Sequence, residues 1–392
     1  MTLTKSILNI LHEILPAQRP IGLHEPGFGD AEKALVTDCL ESGWVSSVGQ
    51  YVDRFEQSLS TYTGIPHAIA TINGTAALHT CLIVAGVNTG DEVLLPALTF
   101  IGSANPVVYS GAVPHFVDCE AETLGINPQR LHDYLTDITE QRGNTCYNRN
   151  TGRPVRALIV VHILGHPARI AELAKIAARF QLVLIEDAAE SLGSWRDDHH
   201  TGSWGQLTAL SFNGNKIITC GGGGAILTHD PELARRAKHL TTTAKQSHTW
   251  AIGHDAVGYN YRLPNLNAAL GCAQMEQLPQ RLAQKRQLAK DYANAFATLD
   301  NVQFQKEPAN CRSNYWLNLL LLPDREQRDQ LLHAAHTEGL LLRPFWTPLH
   351  QLPVFKNSPH MNLPQTKALF SHGVCLPSSA NLRQPDYPIN KI

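Results

Sequence analysis

The sequence lacks an excess of charge of either sign. Its 32 lysines and arginines stand against 34 aspartates and glutamates, a net of -2. That balance gives no footprint for binding nucleic acid or an anionic membrane surface. The 8 cysteines form no C-x-x-C pair and no cluster. Such scatter fits reduced thiols rather than a disulfide frame or a zinc site. No apolar run approaches the roughly 18 residues needed to span a bilayer. No repeat or low-complexity segment occurs. The N-terminal stretch "MTLTKSILNILHEILP" is interrupted by Lys5, His12 and Glu13. It reads as a short amphipathic helix rather than a signal peptide. These absences lead to the expectation of a cytoplasmic protein.

What is present is enough apolar sequence for a large core. The chain has 392 residues, 43% of them hydrophobic. At about 150 residues per domain, two or three domains are expected. "EVLLPALTF" (92–100), "AVPHFVDCE" (112–120), "RALIVVHILG" (156–165) and "LVLIEDAAE" (182–190) read as buried strands. Ile170, Leu173, Ala174, Ile176 and Ala177 lie between the last two and mark a helical face. Strand–helix–strand alternation predicts an α/β unit with a mostly parallel sheet covered on both faces. The polar stretch 140–154 is expected to be a surface loop. Helical spacing over 281–299, an apolar run at 315–322 and a helical pattern over 325–339 predict a smaller α+β unit. The expected division is 1–275 for the N-terminal segment and large domain, and 276–392 for the small domain.

Three features carry chemistry. Asp187 follows the apolar "LVLI" and stands where open α/β sheets bind ligands, at the carboxyl end of a strand. It is read either as a helix cap or as a charge partner for a ligand. Asn73-Gly74-Thr75 precedes an apolar helical pattern, and a helix N-terminus suits a phosphate. The same pattern also serves as a plain cap. Lys216 lies in "SFNGNKIITCGGGG". The nucleotide-hydrolase phosphate loop is excluded, because Gly214 and Lys216 miss its spacing and Ile217 replaces its hydroxyl residue. A lysine among apolar and small residues loses its proton readily and can act as a nucleophile. Gly221 to Gly224 are expected to let backbone pack close to it. "WRDDHHTGSWG" (195–205) has no regular metal-ligand spacing and reads as a solvated loop. A phosphate seat, a carboxylate for a protonated pyridine and an amine together suit pyridoxal 5'-phosphate.

Seven segments then fall in the order of one family: "SGWVSSVGQYVDRFE", "NGTAALH", "PALTFIGSANPVVYSGAVPHFVD", "VHILGHPA", "EDAAESLGS", "SFNGNKIITCGGGG" and "GYNYRLPNLNAALG". The sequence resembles the DegT/StrS-type nucleotide-sugar aminotransferases over most of its length. "LHEPGF" (23–28) and "RPFWTPLHQLP" (343–353) resemble the branch that serves legionaminic acid synthesis. The resemblance implies the aspartate-aminotransferase-like (fold type I) architecture and pyridoxal phosphate as cofactor. It implies that Lys216 bonds the cofactor and that Asp187 pairs with its pyridine nitrogen. Gly74, Thr75, Ala76 and Ser211 match the phosphate cup, and Phe100 matches the aromatic that stacks on the ring. Asn260 matches a residue that reaches the phosphate of a neighbouring subunit, which implies a homodimer with shared sites.

Glu190 stands where many members carry Gln facing the cofactor's phenolic oxygen, so it either shares a proton or turns away. Leu192 stands where many have His. Cys220 reads as a packing residue. His162 is read either as facing substrate or as a core histidine. Arg343 and Trp346 are placed in a loop that contacts nucleotide or the neighbouring subunit. The implied reaction transfers the amino group of L-glutamate to the C4 ketone of a nucleotide-linked 4-keto-6-deoxy sugar, with a UDP-N-acetyl sugar first. The alternatives are a GDP- or dTDP-linked substrate, perosamine-like or 3-amino, a dehydratase, which the presence of Lys216 opposes, a regulator that holds the cofactor without turnover, and a scaffold in which these residues are merely structural.

Overall fold

The computed structural model describes residues 2–382. A nine-stranded sheet organises the larger part of it. Its strands are β1 (His67–Thr71), β2 (Glu92–Pro96), β3 (Val113–Val117), β4 (Thr139–Arg142), β5 (Thr145–Asn148), β6 (Pro154–Val161) and β7 (Val183–Asp187). A short hairpin, β8 (Trp195–Arg196) and β9 (His199–His200), precedes the last two, β10 (Leu207–Ser211) and β11 (Gly224–Thr228). The bonded order is β1-β11-β10-β7-β6-β2-β3, with β5 and then β4 attached beside β6. Strands β3, β2, β6, β7 and β10 run parallel, and β11 runs against both its neighbours. The apolar runs make this possible: β2 and most of β6 and β7 are buried, as strands covered on both faces must be.

Helices α1 (Leu3–Ile14), α2 (Asp30–Ser42), α3 (Gln50–Thr63), α4 (Gly74–Val84), α5 (Asn105–Tyr109), α6 (Pro128–Ile138), α7 (Ile170–Arg179) and α8 (Pro231–Thr241) precede the long α9 (Asn265–Phe296). Helix α4 is buried along nearly its whole length, against β10 and β11. Helix α7 buries Ile170, Leu173, Ile176 and Ala177, the face expected from their spacing. Beyond α9, strands β12 (Gln303–Phe304), β14 (Asn318–Leu321), β15 (Arg343–Pro344) and β16 (Gly373–Leu376) form a second sheet. Helices α10 (Arg325–Thr337) and α11 (Pro364–His372) accompany it, and β13 (Cys311–Arg312) pairs with β8.

The stretch expected to be a surface loop at 140–154 is instead largely the β4–β5 hairpin. Buried Glu92 draws it in, accepting from Asn148 Nδ2 at 2.9 Å and from the Thr151 hydroxyl at 2.5 Å. The stretch expected to be a solvated loop at 195–205 contains the β8–β9 hairpin, turned by Asp197 and Asp198 at φ 48° and 61°. His200 is buried there and accepts the Gly193 N–H at 2.9 Å. Helix α9 has 32 residues, so the division expected at 275/276 lies inside it. Ile7, Leu8 and Leu11 of α1 pack with Leu288, Tyr292 and Phe296, placing the N-terminal helix with the C-terminal part. Among the described residues no helix is long and apolar enough to cross a membrane.

Candidate active site

Strands β7 and β10 are parallel neighbours, and they end at Asp187 and Ser211. Both residues therefore emerge at the same edge of the sheet, where ligands of open α/β folds bind. The chain after β10 folds back on itself. Phe212 N–H donates to Gly223 O at 2.8 Å, and Cys220 N–H to Phe212 O at 3.0 Å. Lys216 sits on the loop so closed. Helix α4 begins beside it. Asn73 caps that helix, its Oδ1 accepting the Ala76 N–H at 2.8 Å. The N–H groups of Gly74 and Thr75 precede the first intrahelical bond, the arrangement that suits an anion.

These elements enclose a cavity of about 370 Å³, lined by Gly74, Thr75, Phe100, Asp187, Glu190, Ser211, Lys216 and Trp346. All eight were expected from the sequence. Asn73, expected as the start of the helix, lines it too, and Ser103, Asn213, Asn215, Leu78 and Trp316 line it without having been expected. Asn213 and Asn215 closely precede Lys216 in sequence, so proximity alone could have marked them. Trp316 arrives from the C-terminal part, and no local pattern announces it.

Close approach of backbone shapes the phosphate end. A Cβ at Gly74 would lie 2.8 Å from Ser211 Cβ. A Cβ at Gly224 would lie 2.5 Å from the Asn73 carbonyl and 2.7 Å from the Gly74 nitrogen. The last glycine of the run thus lets β11 pass against the start of α4. The run was expected to make room behind Lys216; its tightest approach is to the phosphate end instead.

The electrostatics suit an amine nucleophile. Burial pushes the Lys216 ammonium below its ordinary range, and Glu190 and Asp187 partly oppose this. Lys216 Nζ lies 3.9 Å from Glu190 Oε1 and 4.0 Å from the centre of the Trp316 ring. Trp316 is fixed by donating Nε1–H to Asn215 O at 2.7 Å, and it stacks on Trp346 at 6.3 Å between ring centres. Burial pushes Glu190 up to about 7, Asp187 adds to this, and Lys216 and the Leu164 N–H hold it down. Asp187 accepts the Ser103 hydroxyl at 2.7 Å and the Ala189 N–H at 3.2 Å.

Other expected residues fall elsewhere. His162 is fully buried, with Nε2 2.8 Å from Glu186 Oε2 and Nδ1 accepting the Ala168 N–H at 3.1 Å. It is a core histidine and not a wall of the cavity. The Ala76 N–H is taken by Asn73, so Ala76 has no donor left for a phosphate. Arg343 is exposed on β15 and does not line the cavity. Asn260 is exposed, bridges to Thr242 and lies outside the cavity of its own chain. Leu192 and Cys220 are buried in the apolar core. Among the described residues no group of three or more His, Cys, Asp or Glu could hold a metal ion.

The residues present fit pyridoxal phosphate. The α4 N-terminus and Ser211 suit its phosphate, Asp187 its pyridine nitrogen, Lys216 its aldehyde carbon and exposed Phe100 its ring face. The comparisons agree. The model of the DegT/DnrJ/EryC1/StrS aminotransferase family matches residues 27–388. GDP-perosamine synthase of Escherichia coli O157:H7 is 33% identical over 362 residues, 92% of this chain and 94% of that protein. A putative pyridoxal phosphate-dependent aminotransferase, EpsN of Bacillus subtilis, is 33% identical over 372 residues, 94% of this chain and 93% of its own. The crystal structure of a DegT DnrJ EryC1 StrS aminotransferase from Brucella abortus superposes with a TM-score of 0.83 at 29% identity, covering 91% of this chain and 92% of that one. With this site and this span of similarity, the chain belongs to the DegT/DnrJ/EryC1/StrS family of pyridoxal-phosphate-dependent sugar aminotransferases.

Proposed function

We propose that the protein transfers the amino group of glutamate to the C4 ketone of a nucleotide-linked 4-keto-6-deoxy sugar, leaving a 4-amino sugar. The observation that carries this reading is the convergence of Lys216, Asp187 and the Gly74–Thr75 end of α4 on one cavity. When bound, pyridoxal phosphate supplies an electron sink for a carbanion at the donor's α-carbon. The chain supplies the rest. Gly74, Thr75 and Ser211 hold the phosphate. Asp187 places negative charge at the pyridine nitrogen. Lys216, made less basic by burial, takes and returns a proton at Nζ as general acid and base. Trp316 and Trp346, stacked on each other, wall the cavity.

Two observations bear on the nucleotide. "LHEPGF" and "RPFWTPLHQLP" resemble the legionaminic branch, which favours a UDP-linked N-acetyl sugar. Relatives in Escherichia coli, Vibrio cholerae and Caulobacter vibrioides are GDP-perosamine synthases, which favours a GDP-linked sugar. The test is a panel of UDP-, GDP- and dTDP-linked 4-keto-6-deoxy sugars with glutamate, read by product mass and by NMR at C4. Amination of the UDP sugar supports the first reading of the nucleotide, and of the GDP sugar the second. Amination of none, or at C3, overturns the proposed reaction.

The proposed active unit is a homodimer. Trp44, Val48, Trp250, Ile252 and Val257 are exposed apolar side chains, and covering such side chains would favour association with a second copy. Asn260 would then reach the partner's phosphate. Mixing inactive Lys216→Ala and Asn260→Ala proteins should restore activity through hybrid dimers. No recovery after subunit exchange argues against shared sites.

A further inference from the structure

The cavity gathers two carboxyl groups and one amine. The side chains of Glu190 and Lys216 are 4% and 12% exposed, and Asp187 is buried. A buried ion pair bears a desolvation penalty that it sheds when one proton passes from the ammonium to a carboxylate. The hydrogen bonds say which carboxylate is open to that proton. Both oxygens of Asp187 are already engaged, Oδ2 accepting from the Ser103 hydroxyl and Oδ1 from the Ala189 N–H. Glu190 accepts the Leu164 N–H through Oε2 at 2.8 Å. Its other oxygen, Oε1, lies 3.9 Å from Lys216 Nζ. That oxygen is the place for a proton.

The remaining ionisable neighbours do not take over this role. The Cys375 thiol, facing Glu190 from β16, is pushed up to about 12 by burial and stays protonated. His24, which faces Lys216, is pushed well below its ordinary value by burial and by Lys285, Arg281 and Lys216, and stays neutral. Asp187 is the other charged neighbour of the pair.

We propose that Glu190 is the proton partner of Lys216, its Oε1 receiving the proton that Nζ sheds to become a free amine and returning it afterwards. The inference rests on Lys216 being the amine that bonds the cofactor. The exchange balances without a co-reactant. An N–H bond of the ammonium breaks, the electron pair stays on nitrogen, and an O–H bond forms on Oε1. The pair is neutral overall before and after. A closing of about 1 Å from the observed separation reaches charge-assisted hydrogen-bond distance.

The test is the pH dependence of Lys216 reductive methylation with formaldehyde and cyanoborohydride. It is run on the full chain after cofactor release and read by mass of the Lys216 peptide. A carboxylate partner holds the ammonium form, so replacing it lowers the pH at which the amine is half reactive. Glu190→Gln, which keeps the acceptor for Leu164, should shift the midpoint down by about one pH unit or more. Glu190→Asp should shift it less. In the holoenzyme the pH profile of kcat should move in the same direction. Equal midpoints for wild type and Glu190→Gln overturn the proposal. A separate control traps the cofactor on the wild-type chain with borohydride. Its absence from the Lys216 peptide sinks the assignment of Lys216 itself, whereas trapping with equal midpoints sinks the Glu190 proposal alone.

Discussion

Ser103 donates its hydroxyl hydrogen to Asp187 Oδ2 over 2.7 Å, and both side chains are buried. Ser103 is itself paired with Thr99, the two oxygens 3.1 Å apart. The bond fixes the direction in which the carboxylate presents its charge. Ser103→Ala removes a hydrogen bond to a charged group, worth about 1.5–3 kcal/mol. Cofactor affinity should fall by roughly ten- to a hundredfold. Asp187→Ala should cost more, because the charge itself goes. Titration of the cofactor-free chain with pyridoxal phosphate measures both, and wild-type affinity in Ser103→Ala would show that Asp187 needs no orienting partner.

Lys216→Ala removes both the covalent anchor and the proton carrier. Loss of a general acid and base alone costs about 10²–10⁴ in rate. Turnover should fall by at least that factor, and the visible band of the bound cofactor should disappear. Spectra of the purified variant, with glutamate-dependent turnover, check this. Normal turnover without added amine would place the chemistry on another residue.

The glycine run separates into two roles that substitution can tell apart. Gly224 has no room for a Cβ, which would sit 2.5 Å from Asn73 backbone at the start of α4. Gly224→Ala should destabilise the chain by about 1–3 kcal/mol through overpacking and weaken phosphate binding as the helix start moves. Gly221 adopts φ 76°, and a Cβ there would meet only the Asn267 amide at 3.8 Å. Gly221→Ala should cost about 1 kcal/mol of backbone strain and leave cofactor affinity near wild type. Urea unfolding and cofactor titration of both variants decide it. Equal affinities would show that the approach of Gly224 to α4 does not shape the phosphate seat.

What the residues revealed in advance was the chemistry carried by short segments. Asp187 ends an apolar run, and Lys216 stands beside glycines, so their strand-end and loop positions could be read directly. The buried parallel strands were equally legible, because continuous apolar runs have few other homes. Contacts made across the fold were not legible. Trp316 reaches Lys216 across 100 positions of sequence. The β4–β5 hairpin forms because buried Glu92 needs Asn148 and Thr151, a demand that polar composition conceals. His162 shares its "VHILG" segment with a strand end, yet Glu186 holds its ring in the core. Segment patterns locate groups on elements, and only packing decides which way each side chain turns.

Glu190 should also write itself into the stability of the protein. Burial raises its folded value to about 7 from an ordinary 4.5. Between those two values the folded chain binds more protons at this site than the unfolded chain does. Stability from Glu190 is therefore full below pH 4.5 and is lost as pH rises through about 7. Lys216, shifted down, works the other way at higher pH, because the unfolded chain then holds the extra proton. Glu190→Gln deletes the first contribution and no other carboxyl. The stability of the variant relative to wild type should rise across that interval, by on the order of 1–3 kcal/mol, and level off above it. Urea unfolding of the two cofactor-free chains at matched pH values gives the difference directly. A difference that stays constant from pH 4.5 to 7 would mean that Glu190 is already ionised in the folded site, and a difference that falls as pH rises toward 4.5 would mean that Lys216 stabilises the carboxylate more than burial opposes it.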